Sequence, residues 1–325
     1  MKTSTHNTSK CWIGGIFGFL LVLCSISAAH AQILIQNSYT TMGEYDATTG
    51  AHLSDLTGLN TPVSLAISGN DLFIANAGSN SIGEYDATTG AAINANLVTG
   101  GWYRGLTMSG NELFASNIYN GTIGEYTVGV GAADGTITSQ NTSLVGIGSN
   151  FMAVSGTHLF VVNNNAISEY DAISGNLINA SVVSGLQGVT GLAISGNELF
   201  VAYIYTLGDI PGGSIGKYTV GDDGTLTSSN PSLLFNPYYA YNSVAVSGND
   251  LFAAYIDPLA PNNNIAGLIG EYNASDGSPI NPTLVTGFMS YSGPTAFAVE
   301  GVPEPSTWTM LVAGLGSLLQ FRRRR

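Results

Sequence analysis

Short apolar segments separated by polar turns recur along the middle of the chain. The segment Ser-Gly-Asn-Asp-Leu-Phe and its close variants begin at Ser68, Ser109, Ser155, Ser195 and Ser247. A second motif built on Ile-Gly-Glu-Tyr begins at Met42, Ile82, Ile123, Ile167, Ile215 and Ile269. The spacings of the first motif are 41, 46, 40 and 52 residues. This periodicity indicates one structural unit that is repeated several times.

A single repeat predicts four short β-strands. In the best-defined copy these strands cover residues 64–67, 72–75, 82–85 and a stretch near 96–98. The Ser-Gly-Asn segment supplies the tight turn between the first two strands. The apolar positions of the third strand do not alternate strictly, so we expect a β-bulge near Gly83.

The strand count predicts how the repeats close. The N-terminal end supplies a second strand at 33–36 and the strands after it, but no first strand, whereas the C-terminal end has an unpaired first strand at 296–299. Together they complete six units. We therefore predict an all-β, six-bladed β-propeller over residues 33–302 with four-stranded blades, in which the C-terminal strand one pairs with N-terminal strands two to four. An open β-solenoid is the alternative, but it would leave free sheet edges.

The repeated strand-turn-strand sequence, as in LAISGNDLFIANAGSNSIGEYDATTG, resembles the repeats of the NHL and YVTN propeller families. The resemblance covers residues 33–302. It implies the fold and no particular chemistry.

The N-terminal segment has the features of a secretory signal peptide. Two basic residues, Lys2 and Lys10, precede an apolar stretch over residues 12–26, and Ala29 and Ala31 frame a cleavage site before residue 32. We therefore predict a signal peptide at residues 1–31 and export through the Sec translocon. An uncleaved anchor helix is the alternative.

The C-terminal segment has three parts in a fixed order. Pro303, Glu304 and Pro305 come first, and an apolar run of 14 residues follows from Trp308 to Phe321. The chain ends with Arg322, Arg323, Arg324 and Arg325. By the positive-inside rule, this basic cluster stays in the cytoplasm and the large domain lies outside.

This order resembles the PEP-CTERM sorting signal of Gram-negative bacteria. The resemblance implies a sorting tail at residues 303–325, with a short transmembrane helix, that is recognised and removed by an exosortase. It implies a protein held transiently at the inner membrane and then located in the cell envelope or outside the cell. Such proteins occur in bacteria that make exopolysaccharide or biofilm, so the resemblance also suggests an exopolysaccharide or a surface protein as a partner.

Charge and cysteine content exclude several classes of function. The formal net charge is −13, and residues 33–302 contain only two basic residues, Arg104 and Lys217, against twenty acids. A surface this acidic repels phosphate backbones, so we predict no nucleic-acid partner. Cys11 and Cys24 both lie in the signal segment, so the mature domain has no disulfide and no thiolate site. We expect a monomer.

Catalytic motifs are absent from the sequence of the domain. Its histidines are His52 and His158, and we interpret His158 as a turn residue. One repeat position carries an acid in five of six copies, Glu44, Glu84, Glu125, Glu169 and Glu271, with Lys217 in the sixth. We place these residues on the solvated face of strand three, although a ring of carboxylates is also a candidate for Ca²⁺. We predict no catalytic residue, no metal site and no other cofactor.

The aromatic residues are distributed unevenly between the two faces of the predicted propeller. Six of the sixteen tyrosines repeat in strand three. The others, with the single tryptophan of the domain and its neighbouring arginine, are predicted on or beside the face that carries the strand two-to-three loops and the connections between blades. We predict ligand contacts from Trp102, Tyr103, Arg104, Tyr119, Tyr203, Tyr205, Tyr238, Tyr239, Tyr241, Tyr255 and Tyr291. Tyr39 lies on the same predicted face.

Aromatic side chains beside amides suit sugar or polypeptide surfaces, because rigid rings offer contact area at a low cost in conformational entropy. The sequence therefore predicts an exported, non-enzymatic propeller that binds glycan or protein through its aromatic face. The alternative from another class is an enzyme of lactonase or lyase type with a metal in the central channel. A third alternative is a structural component of a biofilm matrix.

Overall fold

A computed structural model describes residues 31–129, 134–207, 210–257, 266–289 and 297–300 of the chain. Across these residues the regular structure consists of six antiparallel sheets with four strands each. The strands of the first half are β1 (Gln32–Gln36), β2 (Met42–Asp46), β3 (His52–Leu56), β4 (Pro62–Ser68), β5 (Asp71–Asn76), β6 (Ser81–Asp86), β7 (Ala92–Thr99), β8 (Tyr103–Ser109), β9 (Glu112–Asn117), β10 (Thr122–Val128), β11 (Ile137–Val145) and β12 (Met152–Ser155). Those of the second half are β13 (His158–Asn163), β14 (Ala166–Asp171), β15 (Leu177–Ser184), β16 (Val189–Ser195), β17 (Glu198–Leu207), β18 (Ile210–Val220), β19 (Leu226–Asn236), β20 (Tyr241–Ser247), β21 (Asp250–Asp257), β22 (Ala266–Asn273), β23 (Pro279–Met289) and β24 (Phe297–Glu300).

The sheets form the six blades of a β-propeller, as the repeats predict. Blade 1 contains β24, β1, β2 and β3 in that order, and blades 2 to 6 follow with four consecutive strands each. In blade 1, β24 pairs antiparallel with β1, with Ile33 opposite Val299 and Leu34 opposite Ala298. The predicted closure of the ring is thus confirmed. No helix that could span a membrane occurs in the part of the chain that the structure describes.

Glycine makes the turn between the first two strands possible in blades 2 to 6. Gly69 has a φ of +59°, and the equivalent Gly110, Gly156, Gly196 and Gly248 have φ values between +56° and +60°. The asparagine that follows Gly69 does not have a positive φ. This pattern fits a type II′ turn, in which glycine occupies the first central position and matches the twist of the flanking strands.

Apolar side chains are buried at the seams between neighbouring blades. Each of the six core clusters combines residues from two adjacent blades; one joins blades 2 and 3, and another joins blades 6 and 1. Strand two contributes a fully buried phenylalanine to five blades: Phe73, Phe114, Phe160, Phe200 and Phe252. Truncating one of them to alanine would cost about 3–5 kcal/mol. The repeated phenylalanine therefore stabilises the packing between neighbouring blades.

The irregularity predicted near Gly83 occurs there, but the extra residues belong to the neighbouring strand. Ile82 pairs with Val98 and Glu84 pairs with Asn94. A step of two residues along β6 is therefore matched by a step of four residues along β7. Gly83 itself pairs regularly with β5. The strand-four bulge leaves strand three straight at the seam.

In blades 5 and 6, strands two and three are longer than in the other blades, and their described parts continue the sheet. β17 and β18 continue to pair beyond the ring, with Tyr203 opposite Ser214 and Tyr205 opposite Gly212. β21 and β22 pair as far as Asp257 and Ala266. The alternation of the Tyr-Ile-Tyr-Thr segment explains why it continues as a strand.

The repeated glutamate is buried, which corrects its predicted place on a solvated face. Glu84 lies opposite Phe73 across the β5–β6 ladder. Glu44, Glu84 and Glu169 are buried, and Glu125 and Glu271 are half-buried. The Gly135 amide of blade 3 donates a 3.1 Å hydrogen bond to Glu84 of blade 2. Strand three has no solvated face at this position, because its face meets the next blade.

His158 is also not a turn residue. It is the first residue of β13, and its Nδ1 lies 2.7 Å from the Oε1 of the buried Glu169. In blade 5, Lys217 occupies the glutamate position and its Nζ lies 3.6 Å from Glu198. The residue at the start of strand two therefore faces the strand-three charge of the same blade.

Candidate ligand-binding face

Two neighbouring connections bring Trp102 and Tyr119 together on one face of the ring. Trp102 lies between β7 and β8, where one blade passes to the next, and Tyr119 lies between β9 and β10 of blade 3. The Asn117 side chain joins the two connections. Its Oδ1 accepts hydrogen bonds from the Trp102 amide at 3.2 Å and the Tyr119 amide at 3.1 Å. The Ile118 amide donates to the Trp102 carbonyl at 3.0 Å, which completes the link.

Both rings remain accessible after this fixation. Trp102 is 41% exposed and Tyr119 is 84% exposed. Together with Asn80, Gly100 and Gly101 they line a surface depression of about 460 Å³. A single amide side chain thus presents two aromatic rings beside one open depression.

Arg104 connects this depression to the central channel. Its Cζ lies 5.0 Å from the centroid of the Trp102 ring, which is within the range of a cation–π interaction. Arg104 also lines a cavity of about 240 Å³ at the channel mouth, which is formed by the beginnings of the first strands of blades 2 to 6. Its Nε is buried and has no hydrogen-bond partner among the described residues.

The structure divides the remaining predicted tyrosines by accessibility. Tyr238 is exposed, and Tyr203, Tyr205 and Tyr239 are half-buried. Tyr103, Tyr241 and Tyr255 are buried within the seam cores, so their rings are not accessible to a ligand. Tyr291 lies outside the described residues.

Hydroxyl bonds show what the half-buried and buried tyrosines do. The hydroxyls of Tyr203, Tyr205 and Tyr255 donate to the carbonyls of Pro231, Asn236 and Pro282. Each bond joins strand two to the fourth strand of the same blade. Burial raises the pKa of Tyr241 well above its ordinary value. These rings stabilise the edge of the blades under the candidate face.

The bridging asparagine is the functional residue that the sequence interpretation missed. Asn76, the counterpart of Asn117 in blade 2, accepts a 3.1 Å hydrogen bond from the Asn60 amide in the same kind of connection. Both asparagines end strand two, in Phe-Ile-Ala-Asn and Phe-Ala-Ser-Asn. This repeated asparagine at the end of strand two is the sequence feature that indicates the bridge.

The described residues contain no group of three or more histidine, cysteine, aspartate or glutamate side chains that could hold a metal ion. The glutamates of the repeated position belong to different seams. The signal peptide predicted at residues 1–31, with Ala29, lies almost wholly outside the described residues; only Ala31 of it is described. The tail at 303–325 also lies outside them.

Comparison with known proteins identifies the end of the chain. Residues 301–325 match the PEP-CTERM protein-sorting motif. The chain carries a PEP-CTERM sorting signal. This signal indicates an exported protein that is sorted to the cell surface and processed by an exosortase. The match covers the PEP-CTERM tail alone and says nothing about what the ring binds.

The ring resembles solved structures in fold. A protein of unknown function from Bacteroides caccae has a TM-score of 0.56 at 10% identity, over 85% of this chain and 100% of that one. A chain of the nidogen/laminin complex has a TM-score of 0.55 at 11% sequence identity, and the match covers 83% of this chain and 98% of that one. The Cps50 (Swd1) β-propeller domain of Myceliophteria thermophila has a TM-score of 0.50 at 16% sequence identity, and the match covers 74% of this chain and 79% of that one. A sequence comparison with curated proteins gave no match. At these identities, the likeness concerns the fold alone.

Proposed function

We propose that the ring is a non-enzymatic carbohydrate-binding module of an exported protein, and that Trp102 and Tyr119 stack on successive parts of a glycan. The observation that carries this proposal is the double hydrogen bond of Asn117. It fixes both connections before a ligand arrives, so little conformational entropy is lost on binding.

The size of the surface favours a glycan over a protein partner. A stable protein interface buries roughly 800 Å² on each partner and uses about 20–30 residues a side. The fixed surface here consists of two rings and three small neighbours around a depression of about 460 Å³. That scale suits one or two sugar rings. Sugar rings present apolar faces that pack on aromatic side chains, while their hydroxyls can bond to amides such as that of Asn80.

The test compares binding by the unchanged chain with that of a Trp102→Ala, Tyr119→Ala double variant on a glycan array and on exopolysaccharide from a producing strain. We expect the double variant to lose at least about tenfold in affinity, because two stacking contacts disappear. The matched control is Tyr39→Ala, which removes an aromatic ring that is 77% exposed in blade 1. It should bind as the unchanged chain does.

Two results would contradict the proposal. In the first, no glycan is bound by the unchanged chain. In the second, the double variant binds as tightly as the Tyr39→Ala control while its melting temperature is unchanged. If purified surface proteins bind in place of glycans, and the same double variant loses this binding, then the surface binds a protein partner and not a glycan.

A further inference from the structure

Arg104 is an unusual residue for its surroundings. Residues 33–302 contain two basic side chains against twenty acids. Lys217, the other base, has a carboxylate partner in Glu198 at 3.6 Å. Arg104 has no carboxylate within 4.0 Å in the described part of the chain, and its buried Nε has no partner there. A buried guanidinium nitrogen without an acceptor is costly, and the half-buried Arg104 side chain also lines a cavity from which an acceptor can approach the rest of the guanidinium.

Arg104 lines a small cavity whose walls combine apolar and polar side chains. The cavity at the channel mouth has a volume of about 240 Å³ and also contains Ser64, Asn150, Asn242 and Ser243. Drug-sized ligands occupy roughly 300–1,000 Å³, so this cavity suits one small group. Hydroxyl and amide groups beside a planar cation match a carboxylate, which an arginine binds with two parallel hydrogen bonds.

The position of Trp102 selects among sources of that carboxylate. Its ring lies 5.0 Å from the Cζ of Arg104 and also lines the depression shared with Tyr119. A ligand seated on Trp102 therefore has the guanidinium of Arg104 nearby.

We infer that the channel mouth binds the carboxylate of an acidic sugar residue, with Arg104 as the pairing cation, while Trp102 stacks on a neighbouring sugar of the same glycan. This inference rests on the proposed function and names its substrate class. The acidity of the ring adds a restriction. A glycan with a charge on every unit is repelled by the surface more strongly than one with an isolated or terminal uronate, so the latter is the expected ligand.

The experiment titrates the full chain with a disaccharide that ends in a glucuronate (the glucuronide) and with the same disaccharide ending in glucose (the glucoside). The two probes differ only at one C6 position, and both offer a neighbouring sugar to Trp102. The variants are Arg104→Gln, Arg104→Lys and the control Lys217→Gln, which also removes one positive charge from the ring. We expect the glucuronide to bind at least about tenfold more tightly than the glucoside. Arg104→Gln should abolish this difference, Arg104→Lys should reduce it, and Lys217→Gln should leave it within about twofold.

Failure of this inference and failure of the proposed function give different results. Equal binding of the two sugars, with loss in the Trp102→Ala, Tyr119→Ala variant, would overturn the carboxylate site and leave the stacking surface intact. Preference for the glucuronide that depends on Arg104, with the affinity for both probes unchanged in the Trp102→Ala, Tyr119→Ala variant, would support the anion site and contradict the proposed stacking. Equal competition by acetate would overturn the assignment to a sugar, because the cavity would then hold any small carboxylate. A preference that survives in Arg104→Gln would also overturn the inference.

Discussion

Blades 2 and 4 both bury a glutamate of strand three, but only in blade 4 does the residue at the start of strand two provide a partner for it. In both blades, a glutamate of strand three is buried opposite the phenylalanine of strand two. In blade 4, the residue that begins strand two is His158, which lies 2.7 Å from Glu169. In blade 2, the same position holds Asp71, and the Oε1 of Glu84 has no hydrogen-bond partner among the residues that the structure describes. One glutamate is thus compensated, while the other is buried next to a like charge.

The consequence is visible in the protonation of Glu84. Burial, followed by repulsion from Asp71, raises its pKa to about 7. The same causes raise the pKa of Glu125, beside Glu112, and of Glu271, beside Asp250. The comparison teaches that the same repeated acid meets different surroundings in different blades, because the residue at the start of strand two adds to the effect of burial in blade 2 and provides a hydrogen-bond partner in blade 4.

The largest effect is expected from His158→Ala. The variant leaves the carboxylate of Glu169 buried without its partner, and removing one member of a buried pair typically costs about 3 kcal/mol. Urea unfolding at pH 7 measures this loss. His52→Ala is the control, because His52 pairs with Asp55 at the surface and should cost well under about 1 kcal/mol. Equal losses in the two variants would show that burial at the blade 4 seam is irrelevant.

The second effect has the opposite sign and concerns Glu84→Gln. Glutamine keeps the shape of the side chain and needs no charge in a buried place. At pH 8 the variant should therefore be more stable than the unchanged chain, by about 2 kcal/mol. The paired change Glu169→Gln should destabilise, because it weakens the contact with His158. Stabilisation by both changes, or by neither, would refute the distinction between the two seams.

The pH dependence follows from the raised pKa of Glu84. A group whose pKa is higher in the folded than in the unfolded state binds more protons when folded, so its contribution to stability is present at low pH and falls as the pH rises from about 4.5 to about 7. The melting temperature of the unchanged chain should therefore fall between pH 5 and pH 8. The melting temperature of Glu84→Gln should fall less over the same interval, because the variant lacks this titrating group. An unaltered decline would mean that Glu84 does not titrate in this interval.

A smaller effect is expected from Asp71→Asn. Removing this charge takes away repulsion but leaves the burial, so the pKa of Glu84 should fall only part of the way to its ordinary value. Carboxyl NMR of Glu84 would measure the shift. A pKa that does not change would assign the whole perturbation to burial.

The smallest effect is expected from Lys217→Gln in blade 5. Its ion pair with Glu198 is long, at 3.6 Å, and partly accessible to solvent. Such pairs contribute about 0.2–1 kcal/mol. Unfolding in low and in high salt should give similar values for the variant and the unchanged chain. A loss above about 2 kcal/mol would place this pair with that of blade 4.

The sequence predicted the number of blades and their closure because both follow from counting repeated strands. It misplaced the strand-three glutamates because alternation along a strand distinguishes two faces and cannot say what covers them. In a propeller, the inner strands of each sheet are covered on both faces by neighbouring blades. A polar residue there is buried, whatever its pattern suggests.

The candidate site was predicted in part, for a similar reason. Aromatic content placed Trp102 and Tyr119 on the correct connections, but it also selected Tyr103 and Tyr241, which the structure buries. Trp102 and Tyr103 are adjacent but lie in different environments, because Trp102 belongs to the exposed connection before β8 and Tyr103 is the first, buried residue of that strand. Whether a particular ring is accessible depends on the Asn117 bridge and on the neighbouring blade, which sequence spacing does not encode.

The position of β24 places the closure of the ring directly before the sorting motif. The strand that closes blade 1 ends at Glu300, and the sorting motif begins at residue 301. Because β24 pairs with β1, the chain must be present as far as residue 300 before blade 1 is complete. A cut within the motif would leave β24 in place, so removal of the tail is compatible with a closed ring.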